Sequence, residues 1–123
     1  MLDHISLQCA DLAAATAFYD TVLEPLGGRR LMKFDGAVGY GIPPSPTLWL
    51  GPQTSGEGFR ETHLALRAPD RAAVVAFYTL ATAAGATALH PPQEWPDYHP
   101  GYFAAFVRDP DGNNLEAVCH LAP

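Results

Sequence analysis

Between residues 4 and 8 polar and apolar side chains alternate: His4, Ser6 and Gln8 share one face, Ile5 and Leu7 the other. A period of two belongs to a strand with one buried face. The alternation returns at 63–67, where His63, Ala65 and Arg67 interleave with Leu64 and Leu66. After each strand comes an aspartate, Asp11 or Asp70, placed to cap a helix by accepting from its first free backbone N–H groups. Ala-rich stretches follow, over about 12–23 and 71–84, with apolar residues at helical spacing and Gly27 or Gly85 beyond the end. Three shorter strands are expected after each helix. They lie at about 29–34, 37–41 and 47–50 in the first half, and about 87–90, 102–108 and 114–119 in the second.

The two halves align at a single offset of fifty-nine residues. His4 stands against His63, Asp11 against Asp70, and Phe18-Tyr19 against Phe77-Tyr78. Matches at one offset, in matching hydrophobic surroundings, mark a duplication. The expected fold is α+β: two tandem βαβββ modules, about 1–51 and 62–120, in one domain spanning 1–123. A polar, glycine-containing linker at 52–61 joins them. PPQEWPDYHPG at 91–101 has no counterpart in the first half, and irregular loops of that length are often functional. DPDG at 109–112 is a tight-turn signal between the last two strands.

Charge narrows the partners. The net charge is −6, and the seven Lys and Arg residues are dispersed. Phosphate neutralisation needs clustered cations, so nucleic acid is not an expected partner. No apolar run approaches the ~20 residues of a membrane span. MLDHISLQCADL at the N-terminus lacks the basic-then-apolar pattern of a signal peptide. The two cysteines, Cys9 and Cys119, form no Cys-x-x-Cys pair and read as reduced strand residues. A cytoplasmic protein is expected.

Candidate chemistry follows the repeat. Extending the alignment to the last strand of each half sets TLWLG (47–51) against NLEAV (114–118), so Trp49 lies opposite Glu116. The four matched positions are His4, Trp49, His63 and Glu116. Two imidazoles and one carboxylate make a facial ligand set that leaves coordination positions open. Spacing alone serves equally well for ordinary strand histidines and a glutamate facing solvent. Parity puts Ser6, Gln8 and Arg67 on the histidines' face. Arg67 reads either as a contact for a substrate carboxylate or as a surface arginine. Trp49 would give a substrate pocket a flat apolar wall. The 91–101 insertion brings Trp95, Tyr98 and His99, with Tyr102 just beyond. These read as a lid, with His99 and Tyr102 as catalytic candidates and Tyr98 against the substrate, or as a packed proline-rich loop.

The histidine-led strand and helix in each half, the FY pair in each helix, DHISLQCADL and DPDGNNLEAV together resemble the vicinal oxygen chelate superfamily. This is the glyoxalase, bleomycin-resistance protein and extradiol dioxygenase group, and the resemblance covers roughly 2–120. It implies a curved mixed sheet around an open cleft, helices on the outer face, and metal ligands on the first and last strands of the modules. Those positions are His4, His63 and Glu116, for one divalent ion among Mn, Fe, Zn, Ni and Co. Glyoxalase I has a further glutamate where this chain has Trp49. The remaining set is similar to that of fosfomycin thiol transferases and extradiol dioxygenases. No Arg or Lys follows Arg108, so the downstream basic residue that helps those transferases hold a phosphonate has no counterpart, and fosfomycin is not expected as substrate. The resemblance implies a metal-dependent enzyme for a small organic substrate chelated through oxygens. Its alternative is a protein that binds or sequesters a small molecule without turnover. A homodimer is expected, because pairing covers the edges that two sheets leave. In this family the cleft is completed either within one chain or by exchanged modules.

Overall fold

In the computed structural model, which describes residues 1–123, the first module runs β1 (Ile5–Cys9), α1 (Leu12–Leu23), β2 (Arg29–Phe34), β3 (Ala37–Gly41) and β4 (Leu48–Pro52). The second runs β5 (His63–Arg67), α2 (Arg71–Ala83), β6 (Ala88–Glu94), β7 (Phe103–Arg108) and β8 (Asn114–Cys119). The α+β architecture of two tandem βαβββ modules is as expected. Each module builds its own four-stranded mixed sheet, in the orders β1-β4-β3-β2 and β5-β8-β7-β6. Its first and last strands pair in parallel. Parallel pairing needs a long crossover, which the helix and the following hairpin supply.

Local chemistry sets the helix ends. The Asp11 and Asp70 side chains accept from the backbone N–H of Ala14 (3.0 Å) and Ala73 (2.8 Å). A 3-10 turn at Glu24–Leu26 prolongs α1 before Gly27, whose φ of 82° turns the chain away. The second module departs from expectation at β6, which runs on to Glu94 and so absorbs Pro91 and Pro92 from the supposed loop. Proline removes a ladder donor, yet β6 is an edge strand and its register to β7 shifts between His90 and Gln93. An irregular edge is where strand prolines are tolerated.

One apolar core draws on both modules. Leu7, Tyr19, Val22, Tyr40 and Leu50 of the first join Val74, Phe77, Leu115 and Ala117 of the second. Each large aliphatic or aromatic side chain buried this way contributes on the order of 1.5–3 kcal/mol. The helices pack on their own sheets and on each other.

The β7–β8 turn adds a polar clasp. Asp109, 5% exposed, accepts from the Tyr19 O–H (2.7 Å), from the N–H groups of Asp111 (3.0 Å) and Asn113 (2.8 Å), and from Asn113 Nδ2 (3.0 Å). Asp111 in turn accepts from the Ala10 N–H (2.8 Å), and Asn113 Oδ1 from the Thr62 N–H (3.0 Å). The turn therefore ties α1, the end of β1 and the linker to the second module. Burial, then the neighbouring Asp109, pushes the Tyr19 phenol well above its usual range, so it stays a donor.

Across the first module, Arg30 grips Asp20 with two hydrogen bonds (2.7 and 2.6 Å), and the Tyr40 O–H donates to the same carboxylate (2.9 Å). The bond from Arg30 is the main reason Asp20 titrates below the usual carboxylate range; burial works the other way and Tyr40 adds to the lowering. A folded pKa below the unfolded one gives stability that is present above the unfolded value and lost as pH falls through the folded one. Asp20→Asn is expected to lower Tm at about pH 7, and the gap to the wild type to close as pH drops below about 4. Thermal melts across that range measure it. A gap that stays constant with pH would mean the carboxylate charge contributes nothing.

Candidate functional site

Strand parity defines an open face on the second sheet. Ala105 and Val107 of β7, with Leu115, Ala117 and Cys119 of β8, point into the helix-covered core. Their neighbours therefore line the other face: His63, Ala65 and Arg67, Glu116 and Val118, Ala104 and Phe106. Glu116 is on this open face yet only 1% exposed. His63 Nε2 lies 2.8 Å from its Oε2, and the Tyr102 O–H donates to its Oε1. A carboxylate only accepts, so in this contact His63 carries its proton on Nε2. Burial first, and then Glu116, push the Tyr102 phenol above its usual range, which keeps it a donor rather than a base. At the near end of β8, Asn114 shares a register position with His63, and its Oδ1 is buried without a hydrogen-bond partner.

The first sheet presents the matching face without a glutamate. Leu48 and Leu50 are buried on the helix side, so Trp49 faces away from α1, in register with Ser6. The indole lies flat across Gly39, where an added Cβ would come within 2.9 Å of it. Glycine at that cross-strand position makes room for the ring. His4 sits just before β1, half exposed, with Nδ1 2.6 Å from Asp3 Oδ1. Within one chain no three His, Cys, Asp or Glu side chains converge to hold a metal ion. One chain thus joins His63 to Glu116 and leaves His4 apart.

The other candidates divide. Gln8 anchors the linker: its Oε1 accepts from the N–H groups of Thr54 (2.8 Å) and Ser55 (3.0 Å), and its Nε2 donates to the Ser55 carbonyl (3.1 Å). Ser6 and Gln8 line an open cavity of about 790 Å³ beside that linker, which includes neither His63 nor Glu116. Arg67 is exposed on the His63 face and takes part in none of the chain's ion pairs. The Cys9 thiol, buried and close to Asp111, is pushed up to about 12, and Cys119 is likewise a buried free thiol. Neither is a ready nucleophile.

Residues 95–102 form an exposed turn held by its own backbone bonds. Trp95 N–H donates to the Tyr102 carbonyl (2.8 Å), Tyr98 N–H to Trp95 (3.0 Å) and Tyr102 N–H to His99 (3.2 Å). Tyr98, 59% exposed, stacks on Trp95 at 12° between planes. His99 Nδ1 is 2.8 Å from the Pro100 carbonyl and must be the donor there, while Nε2 is 2.9 Å from His120 Nδ1. Both ring nitrogens of His99 are engaged. Sequence reading gave His120 no partner and overlooked Phe106. Phe106 was within reach of parity, since it pairs directly with Glu116 across β7 and β8.

Comparison with known proteins agrees with the fold. The family model for the Glyoxalase/Bleomycin resistance protein/Dioxygenase superfamily matches residues 1–117. Among solved structures the chain is similar to a glyoxalase/bleomycin resistance protein from Albidiferax ferrireducens T118, with 26% identity, 95% of this chain and 97% of that chain covered, and a TM-score of 0.81. It shares its fold with a lactoylglutathione lyase from Agrobacterium tumefaciens (24% identity, 97% and 92% covered, TM-score 0.70). It also shares it with TioX from Micromonospora sp. ML1 (20% identity, 98% and 99% covered, TM-score 0.73). No curated protein sequence matches the chain. The duplicated βαβββ architecture and the match along nearly the whole sequence carry one conclusion: the chain belongs to the glyoxalase/bleomycin resistance protein/dioxygenase superfamily.

Proposed function

We propose that this protein is a divalent-metal-dependent enzyme acting on a small organic substrate bound through its oxygens, and that it works as a homodimer. The observation that carries this reading is the contact of His63 Nε2 with the buried Glu116 carboxylate at 2.8 Å. An imidazole nitrogen and a carboxylate oxygen so placed suit a transition ion such as Mn, Fe, Zn, Ni or Co. The unpartnered Asn114 Oδ1 beside them fits a site that still has a polar ligand to receive. His4 has the duplicated position on the other module, so a second copy facing this one supplies the third ligand, together with Trp49 as a pocket wall. A bound ion would polarise the substrate oxygens and stabilise negative charge developing on them. The chain's own groups hold and orient: His63 and Glu116 grip the ion, and Arg67 is the free cation on their face for an anionic substrate group. Tyr98 offers an exposed ring beside them. Two buried free thiols accord with a cytoplasmic setting, and no helix is long and apolar enough to cross a membrane.

Mixing tests the shared site. His4→Ala and His63→Ala proteins should each lose metal, read by elemental analysis without chelators. Unfolded together and reassembled, they should regain metal in the mixed dimers, where one of the two sites is whole. No recovery on mixing would place the ligands within one chain. Wild-type protein without metal affinity would overturn the metal reading in favour of small-molecule binding without turnover. One observation favours that second reading: both nitrogens of His99 are occupied, leaving that imidazole without a free nitrogen to act as acid or base.

A further inference from the structure

We propose that Tyr102 is a positioning residue that reserves a single oxygen of Glu116 for the metal. This rests on the metal-site reading above and adds to it a role for the second module's insertion. A carboxylate offers two equivalent oxygens, and a divalent ion can take one or both. Here the two are made unequal. Oε1 receives the Tyr102 O–H, and Oε2 faces His63. Glu116 is 1% exposed, so water does not compete for the occupied oxygen.

Tyr102 is itself held from several sides. Its backbone N–H donates to His99, and its carbonyl accepts from Trp95. Its ring meets Tyr98, His99 and His120 edge to face, with centroids 5.0, 5.3 and 5.2 Å away. The two histidines brace it as a unit. Their rings are nearly parallel, and the 5.1 Å between centroids is about what a head-on bond through the 2.9 Å nitrogen contact requires. They therefore meet end to end along the edge of the Tyr102 ring. The insertion that carries His99 and delivers Tyr102 occurs only in the second module. The first module has Trp49 at the position of Glu116, with no carboxylate to orient. Partners that orient a ligating group govern affinity nearly as strongly as the ligands do.

The test uses Co²⁺ as probe on the intact wild-type protein, Tyr102→Phe and His120→Ala. Affinity is measured by titration calorimetry and coordination by the visible Co²⁺ absorption. Tyr102→Phe keeps the ring and removes only the donor. It should weaken Co²⁺ binding about 10- to 100-fold and change the absorption band, because the freed carboxylate can then present both oxygens. His120→Ala, which loosens the brace and leaves the phenol, should shift both readouts the same way by less. If the wild type binds Co²⁺ and Tyr102→Phe matches it within about twofold, the positioning role is wrong. A loss of affinity with an unchanged spectrum would also overturn it, leaving Tyr102 a packing residue. If the wild type binds no Co²⁺, the metal reading fails and takes this inference with it.

Discussion

Asp109→Ala will cost about 3–5 kcal/mol of folding stability, a large part of what holds an ordinary domain together. The variant removes one carboxylate and strands several donors at once: the buried Tyr19 phenol, Asn113 Nδ2, and the backbone N–H groups of Asp111 and Asn113. Leaving a buried donor unpaired costs its full desolvation, about 1–3 kcal/mol each, and some of these reach water when the turn loosens. Asp109→Asn keeps an acceptor and should lose less. Tyr19→Phe removes a single bond and leaves the carboxylate its other partners, so it should fall lower still. In the double variant the two losses should not add, because the bond they share is counted once. Urea denaturation of the four variants beside the wild type decides the matter. If Asp109→Ala lies within about 1 kcal/mol of the wild type, the turn is merely a turn.

Glu116→Gln should separate function from stability. On the proposed reading it removes a metal ligand, and affinity for a divalent ion should drop by about 100-fold or more, with turnover following it. Metal-free protein should show the reverse or nothing. The amide oxygen still accepts from Tyr102, and the amide NH2 can donate to His63 once the imidazole proton moves to Nδ1, so no buried group is left unpaired. Melting curves in chelator, beside metal titrations, measure the two effects independently. A Glu116→Gln protein that melts markedly lower in chelator would show that the carboxylate holds the fold, with His63 and Tyr102 as its structural partners.

What the sequence carried and what it did not divide along a physical line. Alternation at 4–8 and 63–67, the aspartate caps and the single offset were enough for the modules, because these are local signals repeated twice. Parity also placed Trp49 and Glu116 on the faces away from the helices, as the burial of Leu48, Leu50, Leu115 and Ala117 shows. Parity gives the face of a sheet and says nothing about which sheet stands opposite, so it could not tell that His4 lies apart from His63 and Glu116 in one chain. Gln8 looked like a pocket residue because its face was right; its bonds to Thr54 and Ser55 depend on how the linker folds back. The pattern predicts a strand only to His90, whereas β6 runs through Pro91 and Pro92 to Glu94, because an edge position tolerates the missing ladder donors. DPDG was legible as a turn, whereas its partner Tyr19 lies ninety residues away in the chain.

That distant bond also bears on how such chains can be recombined. Duplication gave the protein two FY pairs, but only Tyr19 found a carboxylate; Tyr78 makes no such bond. The first module's own turn, GIPPSPT at 41–47, offers no acid in return. The halves have therefore ceased to be interchangeable. A chain made of two first modules would bury the Tyr19 phenol with nothing to receive its proton. A hybrid spliced at the linker keeps its clasp only where the incoming second half brings an acceptor in the place of Asp109. Crossover anywhere between 19 and 109 parts two residues that have to be inherited together.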